Sequence, residues 1–276
     1  QRLQHFSSFY RTINLGAGIA PVIGFALPYQ THPMLIVFGV VCAFALCFLC
    51  ISLFFATEVE PTRSHLPFLK LVTAMYHQIG KRLGVFSVFA TFGLGVYALT
   101  HAHALAFYFK TFFTIPPFMG VLLAVNPILI VIFQKQLSQG FFRLHQKIPQ
   151  SGFLVGMGFM VCGFLTMALG RSPHAAWGFI LFATLGEMLI YPHIDFVLSQ
   201  KVPRFLMPYL LAMLGLTMAV AQSLADSSAI TALSLSAAWQ LPPQTWWIVN
   251  TIAYAGITGF GIFLLRRRRG HVETTV

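Results

Sequence analysis

The stretch LGEMLIYPHIDFVLSQKVP, residues 185–203, sets two carboxylates, Glu187 and Asp195, inside a run that otherwise reads as hydrocarbon. Only six acidic residues occur in the whole chain, so spending two of them here is informative. The run belongs to an apolar segment, 175–197, that reaches the roughly 20 residues a helix needs to cross a bilayer. Glu187 lies near its middle and Asp195 near one end. The eight-residue separation puts them on nearly the same helical face, about 12 Å apart along the axis. That is too far for a catalytic carboxylate pair and suits successive stations along a path.

The rest of the chain supports a membrane reading. It is 57% hydrophobic and 8% charged, with a mean hydropathy of +0.78; soluble domains carry about 25% charged residues. Barrel strands would alternate apolar and polar positions, and these segments run apolar throughout. The expected class is therefore an all-α polytopic membrane protein. Eight spans are expected, at 8–28, 33–56, 84–108, 116–134, 152–170, 175–197, 206–225 and 245–265. Breakers mark their ends: Pro28, Pro33, Pro116-Pro117, Pro149, Pro173, Pro203 and Pro242-Pro243.

Charge orients these spans. Arg2, Arg11, Arg63, Lys70, Lys81, Arg82, Lys135, Arg143, Lys147, Lys201, Arg204 and Arg266 to Arg269 fall on the side of the N-terminus, against Lys110 and Arg171 on the other. By the positive-inside rule both ends of this chain face the cytoplasm. The net charge of +11 is thus explained by cytoplasmic loops, and no nucleic-acid partner is expected. Arg266 to Arg269 read as a stop-transfer anchor with attraction for anionic lipid. Within loop 57–83, LPFLKLVTAMYHQIGKRL has the pattern of an amphipathic helix lying on the membrane. The other long loop, 226–244, is expected on the external side. Cys42, Cys47, Cys50 and Cys162 all sit in apolar runs and read as small hydrophobes.

A charge at bilayer depth costs about 2.5–3.5 kcal/mol on insertion scales, so it faces a cavity or a partner. Glu187 reads either as a functional group or as a hydrogen-bonded packing carboxyl; Asp195 reads as a headgroup contact or a gating residue. His101 and His103 fall late in span 84–108, and histidine can serve a proton relay. Two apart on a helix, they point in different directions, which argues against a shared metal. His193 shares no clear face with Glu187. Asn14, Asn126 and Gln222 are further polar groups within spans, each able to bridge helices. No nucleotide loop, nucleophile elbow or metalloprotease helix occurs, so neither an enzyme nor a cofactor is expected.

Three collinear stretches resemble the proton-dependent oligopeptide transporter family of the major facilitator superfamily. FYRTINLGAGIAPVIGF (9–25) is similar to that family's fifth helix. IPPFMGVLLAVNPILIVI (115–132), followed by KIPQSGFLVGMGF (147–159), is similar to the eighth helix and the entry to the ninth. TLGEMLIYPHIDFVLSQKVP (184–203) is similar to the tenth. The likeness covers most of residues 6–225. It implies helices 5 to 12 of a twelve-helix fold, with the first four expected upstream of Gln1. Residues 1–56 would end the N-terminal bundle, 57–83 join the bundles, 84–265 form the C-terminal bundle and 266–276 make a basic tail.

The resemblance implies substrate bound at midplane between inverted-repeat bundles, with Glu187, Asn14 and Asn126 lining the site and Glu187 or His101 carrying the coupling proton. Departures from the family pattern are His101 and Ala102, where its seventh helix has an acid and Gln, and Leu214, where its eleventh has Trp. The expected activity is proton-coupled symport of a small polar solute, such as a di- or tripeptide, an amino-acid derivative or a metal chelate. The expected setting is a bacterial inner membrane, with the full-length protein monomeric. Three alternatives stay open: a non-transporting scaffold or sensor, a truncated product, and an intramembrane enzyme using His101, His103 and Glu187.

The topology is checked by single cysteines in a background lacking the four native ones. Gln240→Cys is expected to react with a membrane-impermeant maleimide on intact cells, and Gly270→Cys only after permeabilisation. The opposite pattern overturns the orientation.

Overall fold

A computed structural model of the chain describes residues 91–97, 100–113, 119–147, 151–170, 172–201 and 207–269, with isolated positions at 39, 42, 45, 46 and 73. Apart from those isolated positions, spans 8–28 and 33–56 and loop 57–83 lie outside the described residues. Every regular element among the described residues is helical. A helical segment, 91–97, precedes a π-helical turn at Thr100–Ala104 and α1, Leu105–Phe112. Then come α2 (Met119–Lys147), α3 (Ser151–Leu169), α4 (Ala175–Lys201), α5 (Met207–Ala238) and α6 (Thr245–Arg269).

Five of these carry stretches long and apolar enough to cross a membrane: Met119–Phe141, Gly152–Leu169, Ala175–Ile194, Leu210–Ala238 and Thr245–Phe263. They match the last five spans expected from sequence. In hydrocarbon no water meets backbone N–H or C=O groups, so each segment closes its own ladder as a helix. Large apolar side chains such as Ile132, Leu181, Leu216, Leu224, Ile252 and Phe263 are exposed on the helix surfaces. On a membrane protein that is the surface lipid covers.

Several helices run past the ends read from sequence: α1 to Phe112 rather than 108, α2 through 135–147 rather than stopping at 134, and α6 to Arg269 rather than 265. Residues 226–238, expected as loop, continue α5. Their serines turn inward on their own helix: Ser227 Oγ donates to Ser223 O at 3.0 Å and Ser228 Oγ to Ala225 O at 3.2 Å. Ala221, Ala225, Ala229, Leu233 and Ser236 form one buried stripe along α5. Hydroxyls met by the preceding turn do not break a helix, so Ser-rich composition misleads here. The true stop is two residues later. The N–H of Leu241 reaches Ser236 O at 2.8 Å and that of Gln240 reaches Ala237 O at 3.3 Å, with Gln240 at φ 54°. This is the Schellman pattern, with Pro242 following it.

α3 and α4 form an antiparallel hairpin and touch backbone to backbone. A Cβ on Gly156 would lie 2.9 Å from Gly186 O and 2.6 Å from Ile190 Cγ1, and one on Gly186 would lie 2.6 Å from Gly156 O. Without a hydrophobic drive between helices in lipid, association rests on such close approach by small residues. Around this hairpin sits an aromatic cluster. Phe164 stacks on Tyr254 of α6 at 4.6 Å between ring centroids, and Trp247 meets Phe179 at 5.2 Å and Tyr108 at 5.5 Å. Tyr254 Oη donates to Gly93 O, tying α6 to segment 91–97.

Gly186→Ala is expected to lower stability in detergent by about 1–3 kcal/mol, because an overpacked contact must open. Gly158 on α3 has nothing within 4 Å of its Cβ position, so Gly158→Ala is expected to be neutral or to stabilise by up to about 1 kcal/mol. Equal effects of the two alanines on the thermal midpoint would remove the contact from the account.

Candidate functional site

The polar centre of the described structure gathers on Asn126. Its residue precedes Pro127 in α2, and its side chain is buried. Asn126 Nδ2 lies 2.6 Å from Tyr97 Oη, 2.8 Å from Glu187 Oε2 and 3.1 Å from Thr184 Oγ1. Three segments therefore converge: 91–97, α2 and α4. Thr184 and Glu187 are three residues apart, which puts both on the same side of α4, near the middle of its apolar stretch. Tyr97 is fixed by an edge contact with Phe179, 6.0 Å between centroids.

An amide nitrogen carries two hydrogens, and three oxygens surround this one. Tyr97 and Thr184 are hydroxyls that can donate as well as accept. A carboxyl oxygen accepts the Asn126 N–H in either protonation state, and the bond is stronger when the group is ionised. A hydrogen bond to a charged group contributes about 1.5–3 kcal/mol, comparable with the roughly 2.5–3.5 kcal/mol insertion cost of the charge. The carboxyl is half-buried, while Asn126, Thr184 and Tyr97 are buried.

Of the residues singled out in sequence, Glu187 and Asn126 are brought into direct contact. Asn14 lies outside the described residues. His101 stands in the π-helical turn and Asp195 in α4, and the side chains of both lie outside the described set. His103 turns toward α5, with Nδ1 3.6 Å from Asp226 Oδ1, both side chains partly open to solvent. The ring of His193 packs at Gly152, at the start of α3, where a Cβ would stand 3.1 Å from Nδ1. Gln222 is half-buried on α5. Among the described residues no three His, Cys, Asp or Glu side chains gather as a metal site. Cys42 and Cys162 are free thiols on exposed positions, and Cys47 and Cys50 lie outside the described residues.

Tyr97 and Thr184 were not expected from sequence. Their signal is spacing alone: Thr184 stands one turn before Glu187, and Tyr97 one turn before His101. No protein-family model matches the chain, and no curated protein is significantly similar to it.

The Asn126–Glu187 bond is measurable by a double-variant cycle on thermal stability. Asn126→Leu leaves two buried hydroxyls and a carboxyl without that donor, and is expected to cost about 2–4 kcal/mol. Combined with Glu187→Leu, it is expected to show a coupling of about 1–2 kcal/mol. Strict additivity of the two changes would remove the bond as an energetic link.

Proposed function

We propose that this chain forms helices 5 to 12 of a secondary active transporter, a proton-coupled symporter for a small polar solute such as a di- or tripeptide, an amino-acid derivative or a metal chelate. Residues 84–265 then form the C-terminal bundle of a major facilitator fold. Residues 1–56 complete the other bundle, joined through the cytoplasmic connection 57–83. Both ends of the chain face the cytoplasm of the membrane in which it sits, most simply a bacterial inner membrane.

The observation that carries the reading is a carboxyl, Glu187, held by a side-chain amide from another helix near the middle of a membrane-crossing stretch. Ionisable groups at that depth are expensive and belong to ion or substrate paths. Protonating Glu187 converts a strong acceptor into a weak one and loosens its hold on Asn126, freeing the amide for solute. A cationic group on the solute can then take the carboxylate when the proton leaves. Rocking of one bundle against the other exposes the pair to each side in turn. Asn14 and His101 complete the set in this reading, as solute contact and second proton carrier, with Asp195 as a gating residue.

The test uses full-length protein in proteoliposomes, with dialanine and trialanine as first probes and an imposed inward proton gradient. Glu187→Gln is expected to abolish uphill uptake while elution profile and helical circular dichroism stay normal. Gradient-driven accumulation at the parent rate by that variant would sink the assignment of Glu187.

A further inference from the structure

α4 carries Pro192 in its interior. Proline has no N–H, so the carbonyl four residues earlier, on Met188, loses its ordinary ladder hydrogen bond. In a bilayer that oxygen has no water to turn to. Gln134 of α2 meets it: Nε2 donates to Met188 O at 2.9 Å, with Gln134 fully buried. Met188 directly follows Glu187. Asn126 and Gln134 are eight residues apart on α2, about 12 Å along its axis. One holds the Glu187 side chain and the other holds the backbone beside it.

We infer that Gln134 is a positioning residue for Glu187. By taking the carbonyl that Pro192 leaves open, it fixes the α4 backbone at 187–188 against α2 and keeps the carboxyl within reach of Asn126. Its importance to function rests on the Glu187 reading above; the latch itself does not. A hydrogen bond from a side chain of another helix can be released without unwinding a turn, whereas an intrahelical bond is not readily given up.

The experiment compares parent, Gln134→Met, Pro192→Ala and the double variant, all in the full-length protein. Methionine keeps the shape of glutamine and removes its donor. The first readout is the thermal midpoint in detergent. The second is the rate of carbodiimide modification at Glu187, with Glu187→Gln as background. Gln134→Met is expected to lower the midpoint by about 3–6 °C and to raise modification of Glu187 several-fold, because the carboxyl leaves Asn126. In the Pro192→Ala background the same substitution is expected to do little to either, since the new N–H at 192 supplies the Met188 carbonyl.

Equal effects in both backgrounds overturn the inference, leaving Gln134 as packing alone. A lowered midpoint with unchanged modification also overturns it, because α4 is then stabilised without any hold on Glu187. If Gln134→Met yields no folded protein, recovery by Pro192→Ala supports the latch and failure to recover overturns it. Uptake is scored separately. Uphill transport that ignores Glu187 removes the role assigned to that residue, while midpoint and modification still decide the latch.

Discussion

The helical structure depends on backbone groups that have no water to turn to. Within hydrocarbon each N–H and C=O must be met inside the protein, and this single constraint accounts for the helices, for the way they touch and for their polar ties. Where the chain can close its own ladder it does so, down to the serines of α5 that bond back to the preceding turn. Where Pro192 prevents closure, a glutamine from another helix completes it. The polar contacts between α2 and α4 are consequences of the medium as much as of any function.

The same medium removes the hydrophobic drive that assembles soluble helices. What is left is contact quality. At Gly156 and Gly186 the backbones of α3 and α4 meet with no room for a Cβ, and the aromatic rings of Phe164, Phe179, Trp247 and Tyr254 fill the space beside that hairpin. α5 is held differently. Its alanine stripe approaches segment 91–97 at Gly95, where a Cβ would stand 2.7 Å from Ala221 Cβ, while much of its other surface is left to lipid.

Glu187 and Asn126 were readable in the chain because a charge or amide in an apolar run is costly enough to need a reason. Tyr97 and Thr184 were not. Tyrosine and threonine are ordinary in membrane helices, and nothing local separates those that line a site from those that face lipid. Gln134 is quieter still, since its partner is a carbonyl exposed by a proline 58 positions later. The end of α5 was misread for the converse reason: serine signals a loop in water, but its hydroxyl is self-satisfied on a helix in lipid. The π-helical turn at Thr100–Ala104 also has no composition cue, and it aims His103 at Asp226.

The amino-acid sequence by itself marked an all-helical membrane class and, among the described residues, five helices long and apolar enough to cross a bilayer, because hydropathy and length are sums over neighbouring residues and need no knowledge of contacts. It also marked Glu187 as exceptional. Tertiary structure decided which groups meet it. That choice depends on how α2 and α4 cross, which is set by glycines, prolines and ring packing far apart in the chain, and no local rule contains it.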